Sequence, residues 1–213
     1  MAGVKAIADH FDIIASGTIG IWTAIFVATF LLKKRSISWK DLGAVFPKGP
    51  KQWLQQIGLG ILAIVSIFLI TMLVLYVLKP AFGLEKAADA ADKFRFFLDK
   101  PIVLTVYIIF GIWFGAGLGE ELLIRGFLLN HIQKFIGSGK ASWVVALVTQ
   151  AVIFGFMHSY QGTMGIVITG LIALSFGSFY LIAKRKLFPV VFAHAVFDTL
   201  TMVGLYVTES GLS

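Results

Sequence analysis

The stretch GEELLIRGFLLN, Gly119 to Asn130, sets two adjacent carboxylates and an arginine inside one of the most apolar regions of a very apolar chain. An ionised side chain near the centre of a bilayer costs roughly 2.5–3.5 kcal/mol on insertion scales. Three charges between Glu120 and Arg125 therefore need partners or a use. Glu121 and Arg125 are four apart, which on a helix puts them on one face where they can pair. Glu120 points about 100° away and stays free for another task.

Outward from that stretch, the whole composition is that of an integral membrane protein. The chain has 213 residues, 58% hydrophobic and only 14% charged, with a mean hydropathy of +0.91. A soluble domain carries about 25% charged residues. There is no cysteine, which excludes disulfides, thiolate metal sites and a cysteine nucleophile together. The net charge of +7 does not point to nucleic acid, because the basic residues lie between apolar runs, where they meet anionic headgroups and set topology. The lipid bilayer is the expected surrounding and no nucleic-acid partner is expected.

Apolar runs at Ile13–Leu32, Ile57–Leu78, Ile102–Leu118 continuing into the Glu-Glu segment, Ser142–Met157, Met164–Ala183 and Phe188–Val207 predict about six transmembrane helices. Their continuous hydrophobicity argues against a barrel, whose strands would alternate. The expected fold is all-α, a polytopic helical membrane protein forming one domain over residues 1–213. The first run follows Asp9 and Asp12 and ends at Lys33-Lys34-Arg35 without a small-residue cleavage site, so it reads as a retained span. Twelve Lys and Arg in the segments after the first, third and fifth spans, against six in the others, predict both termini outside. The segment EKAADAADKFRFFLDK reads as a short amphipathic helix at the interface. Gly111, Gly115 and Gly119 form a small-residue stripe against which a neighbouring helix can approach.

Once loop and interfacial residues are set aside, His10 and His131 among them, the ionisable groups inside the bilayer are Glu120, Glu121, Arg125, His158, His194 and Asp198. His194 and Asp198 are four apart, so one carboxylate can orient one imidazole. His158 ends the fourth span, four residues after Phe154. A carboxylate base, two imidazoles, a further polar group and an arginine that holds part of the set are the ingredients for activating water. A peptide bond is a suitable target, since imidazoles can supply the donors its tetrahedral intermediate needs. Each cluster also has a plainer reading: a structural ion pair, a helix-bridging histidine, an ion or proton site.

Glu120-Glu121-x-x-x-Arg125, Phe154-x-x-x-His158 and His194-x-x-x-Asp198, in that order on separate apolar helices, resemble the three motifs of the CPBP intramembrane proteases. This group, often called Abi, contains the type II CAAX prenyl endopeptidases and bacteriocin-processing or immunity proteins. The resemblance spans roughly Phe110 to Thr201 and implies a catalytic core at about residues 102–207. It implies an intramembrane endopeptidase in which Glu120 is the general base on a water held with His158. His194 and Asp198 then face the oxyanion or complete the polar site, and Glu121, Arg125 and Phe154 support it. A glutamate-dependent mechanism without bound metal is the favoured reading, with a divalent metal such as zinc as the alternative, since two histidines and acidic groups can hold one. The substrate is a peptide or protein in or at the membrane: a bacteriocin leader, a signalling peptide, another membrane protein or, ranked below these, a prenylated tail. The bacterial cytoplasmic membrane is the expected location.

Two positions depart from the family pattern. Ile124 stands where the first motif often carries an aromatic, and Asp198 where the eukaryotic prenyl endopeptidases have asparagine. An ionised aspartate cannot donate to an oxyanion, so Asp198 must be protonated, orient His194 or bind a cation. Geometry poses a further question, because residues 102–129 as an α-helix would span about 42 Å against a core of about 30 Å. Simple threading also puts His158 at the far end of its span from Glu120 and His194, so bringing them together requires a shifted fourth helix or a re-entrant HSYQGTMG connection. Two other functional classes compete: a small proton-coupled transporter using the same groups as a relay, and a non-catalytic immunity or scaffold protein. Inverted repeats would favour the first, and no convincing halves are visible. A scaffold has little reason to keep Glu120 beside a Glu121–Arg125 pair.

Overall fold

The computed structural model describes residues 11–88 and 92–210. Asp9 and His10, ahead of the first span, and Asp89 in the second long connection lie outside the described residues. Among the described residues, six helices are long and apolar enough to cross a membrane: α1 Phe11–Lys34, α2 Gly49–Phe82, α3 Pro101–Ile136, α4 Lys140–Met157, α5 Gly162–Ile182 and α6 Phe188–Glu209. The fold is all-α, with no β-strand among the described residues. Proline sits in the first turn of α2, α3 and α6, where its missing N–H leaves nothing unpaired. Gly83 closes α2 with φ 61°, a conformation that suits glycine.

Large apolar side chains face outward, Phe26, Leu54 and Leu69 among the most exposed, as a lipid-facing surface requires. Small residues line the helix contacts, with Ala63, Ala146, Ala173, Ala193 and Ala195 fully buried. Without a hydrophobic force between helices in lipid, such residues allow close backbone packing. The glycine stripe on α3 behaves this way for two of its three members. A Cβ on Gly115 would lie 2.8 Å from Thr18 Oγ1 and one on Gly119 would lie 2.5 Å from Ile21, so α1 is the helix that approaches. Gly111 instead makes room for the ring of Tyr107 on its own helix. Gly117, on another face, meets Ala195 of α6.

From Tyr107 to Glu120 and from Leu122 to Leu129, α3 is wound as a π-helix. Wider turns shorten the element below the 42 Å expected of an α-helix, and π turns recur at functional sites. Carbonyls on this segment take donors from α1: Thr18 Oγ1 donates to Phe110 O at 3.3 Å and Trp22 Nε1 to Phe114 O at 3.3 Å. Trp22 also stacks on Phe114 at 4.3 Å.

The ends of the bundle differ. At one end, the α1–α2 and α5–α6 connections are tied through Tyr180, whose hydroxyl donates to Leu42 O at 2.9 Å and accepts from Asn130 Nδ2 at 2.9 Å. Arg185 donates to Asn130 Oδ1. Asp41 accepts from the Ser38 backbone N–H and hydroxyl, which holds its carboxyl below the usual aspartate range. At the other end, the connection expected as an amphipathic helix forms a 3₁₀ turn over Asp92–Phe97. Its Phe96 and Phe97 are buried against Val103, Leu104 and Tyr107, while Arg95 pairs outward with Asp92 and Glu209. Leu84–Ala87 lies along the α4–α5 turn, with Ala87 N donating to Gln161 O at 3.0 Å and Met164 N to Glu85 O at 3.0 Å. Gly162, at φ 82°, permits this approach, because a Cβ there would lie 2.5 Å from Glu85 O.

Candidate active site

Glu121 and Arg125 are both fully buried and joined by a 2.8 Å hydrogen bond from Arg125 Nη1 to Glu121 Oε1. The guanidinium lies between two rings, 5.1 Å from the Phe154 centroid on α4 and 5.3 Å from Phe176 on α5. Its Nη2 donates to Ala173 O at 3.3 Å, a carbonyl that Gln150 Nε2 also reaches at 2.9 Å. Arg125 therefore joins α3, α4 and α5 through one cation. Ile124, where an aromatic was the family expectation, is buried with Ala151, Phe154 and Ala173 and fills that space.

The same Glu121 oxygen is 2.8 Å from His194 Nδ1 on α6. His194 Nε2 stands 3.4 Å from Asp198 Oδ2. The orienting partner of His194 is therefore Glu121 more than Asp198, a relation across helices that spacing along α6 could not show. A ring N–H donated to a carboxylate fixes an imidazole's orientation and leaves the other nitrogen as its working edge. Phe176 packs edge-on to the same ring at 5.7 Å.

Glu120 differs from its neighbour. It is half-buried and makes no hydrogen bond or ion pair among the described residues. The charges of His194, Asp198, Glu121 and Arg125 all act on it. Its charge and that of Asp198 also act on Tyr107 and Tyr160.

His158 caps the C-terminus of α4. Its Nδ1 donates to Phe154 O at 2.9 Å, which leaves Nε2 as an acceptor in the neutral ring. The ring lies 4.6 Å from Phe154 and 5.9 Å from Tyr160. His194 and Asp198 are near enough for their charges to act on His158. His194, hydrogen-bonded to Glu121, is thus also within electrostatic reach of His158, and the HSYQGTMG connection is a 3₁₀ turn running into α5 where a re-entrant segment was one expectation. At 18 residues α4 is about 27 Å long, and a single 3₁₀ turn, Ser159–Gln161, leads directly into α5.

Sequence reasoning missed Tyr107, Tyr160, Gln150 and Phe176. Gln150 was legible as a polar residue in an apolar run; the aromatic residues carry no signal among so many others. No group of three His, Asp or Glu residues among the described residues is arranged as a metal ion would need. Glu121 and His194 are engaged with each other.

Residues 102–200 match the family model described as type II CAAX prenyl endopeptidase Rce1-like. No curated protein and no solved structure matches the chain.

Proposed function

We propose, from the match of residues 102–200 to the type II CAAX prenyl endopeptidase Rce1-like family model, that the chain is a glutamate-dependent intramembrane endopeptidase with Glu120 as its general base. The observation that carries this reading is the division between adjacent carboxylates: Glu121 is fully buried and held by Arg125 and His194, while Glu120 is half-buried and unpaired among the described residues. An unpaired carboxylate within reach of the His194 charge is suited to take a proton from water.

In this mechanism a water lies between Glu120 and Nε2 of His158. Glu120 accepts one proton, the hydroxide oxygen attacks the peptide carbonyl carbon, and the carbonyl π electrons move to oxygen. With a proton on each ring nitrogen, His194 donates to Glu121 through Nδ1 and turns Nε2–H toward the oxyanion or Asp198. When the tetrahedral intermediate collapses, the C–N bond breaks and the proton held by Glu120 passes to the leaving amine. General base catalysis contributes typically about 10²–10⁴-fold and one oxyanion donor about 10²–10³-fold. Glu121, Arg125 and Phe154 are positioning residues: they hold His194 and His158 and need not touch substrate. No metal takes part in these steps. The substrate is a membrane-associated peptide or protein segment, a processed leader or signalling peptide before a prenylated tail, and the enzyme resides in a bacterial cytoplasmic membrane.

The test is cleavage of quenched peptides, with and without a lipid anchor, by the purified protein in liposomes. Wild type is expected to cleave with or without a chelator, and Glu120→Gln to lose cleavage. Loss of wild-type cleavage on chelation would return a metal to the mechanism, and a fully active Glu120→Gln would remove Glu120 from it.

A further inference from the structure

The polar residues of the site are buried toward one end of the bundle and more exposed toward the other. Along α3, running away from the Ile136 end, Arg125 and Glu121 are fully buried and Glu120 is half-buried. Along α6, running away from the Phe188 end, the His194 side chain is 14% exposed and that of Asp198 33%. Both gradients rise toward the same end, where His158, Tyr160, the Leu84–Ala87 segment and the Asp92–Phe97 turn lie. Lys93 of that turn sits 4.4 Å over the Tyr160 ring. The opposite end is sealed by the Tyr180–Asn130–Arg185 network and by Arg125 between its two rings.

Charge divides along the same axis. The closed end carries Lys33, Lys34, Arg35, Lys40, Lys48, Lys51, Lys134, Lys140, Lys184, Arg185 and Lys186, against Asp41 alone. Arg125, counted with these on sequence grounds, is inside the bundle and does not contribute. At the open end, Lys79, Lys86, Lys93, Arg95 and Lys100 are offset by Glu85, Asp92, Asp99 and Glu209. Eleven cations against five in the connections, or six with Lys5 ahead of α1, orient a bundle with the richer face in the cytoplasm.

From these two gradients we infer that the site opens to the extracytoplasmic face, so that its substrate is a peptide segment presented there, an exported peptide or the outer stretch of a membrane protein, and not a cytoplasmic C-terminal tail. The substrate half of this inference rests on the peptidase reading; the orientation half does not.

The chain has no cysteine, so single cysteines report alone. Ser159→Cys and Ala88→Cys mark the open end, Ser138→Cys the closed end, and Asp198→Cys the site. With a membrane-impermeant maleimide on intact cells, Ser159→Cys, Ala88→Cys and Asp198→Cys are expected to react, and Ser138→Cys only after permeabilisation. The reverse pattern, or an Asp198→Cys that reacts only from the Ser138 side or from neither, overturns the inference. In parallel, a quenched peptide added outside intact cells is expected to be cleaved by wild type and not by Glu120→Gln. Outward labelling with no cleavage of peptide from either face would defeat the peptidase reading and leave the orientation standing. Cleavage only of peptide supplied to the cytoplasmic face defeats this inference and leaves the peptidase reading intact.

Discussion

At the scale of single residues, the site depends on adjacent carboxylates doing different work. Glu121 neutralises a fully buried arginine and holds an imidazole, so removing its charge leaves Arg125 uncompensated. Breaking a buried pair in this way costs about 3–5 kcal/mol. Glu121→Gln is expected to lower the unfolding midpoint in detergent accordingly, and Arg125→Ala likewise. Phe176→Leu removes one of the two rings stacked on the guanidinium and is expected to cost about 0.5–2 kcal/mol beyond lost packing, measured the same way. The six interior ionisable residues were legible in the sequence because charge in an apolar run is costly and cannot be accidental. Which carboxylate holds His194 was not legible, because the answer is a contact between α3 and α6, 73 positions apart.

At the scale of elements, glycine placement decides which helices touch. Gly155 of α4 faces Gly170 of α5, and a Cβ on Gly155 would come within 2.6 Å of Ile166 O. Gly155→Val is therefore expected to destabilise by about 1–3 kcal/mol through overpacking, and to disturb His158 three residues on; thermal unfolding with cleavage measured in parallel would show both. The helix count and the glycine stripe followed from composition and period, since both are local. The π winding of α3 did not, because a continuously apolar run has no periodicity from which to read its turn width. The segment before α3, expected as an amphipathic helix, is over Asp92–Phe97 a 3₁₀ turn folded onto Tyr107, a shape that depends on the bundle end it meets.

At the scale of the whole molecule, the interior polar set is fully buried at Glu121 and Arg125 and grows more exposed through His194 to Asp198 toward one end of the bundle. The cation imbalance read from sequence predicts an orientation of the bundle, and the burial of Arg125 refines the count without changing its sign. The Leu84–Ala87 segment is held along the α4–α5 turn by backbone hydrogen bonds that need Gly162 at positive φ. Gly162→Ala is expected to loosen Leu84–Ala87 and raise proteolytic nicking there while leaving the Glu121–Arg125 core folded; limited proteolysis followed by mass spectrometry would locate the cuts.

The most direct measurement compares Glu120→Gln with Glu121→Gln in one preparation, reading cleavage rate and unfolding midpoint together. The account predicts that Glu120→Gln keeps the wild-type midpoint and loses at least about 10²-fold in cleavage, as removal of a general base should, while Glu121→Gln loses stability. A Glu120→Gln protein that unfolds as readily as Glu121→Gln, or that cleaves at the wild-type rate, would contradict the assignment of the two carboxylates.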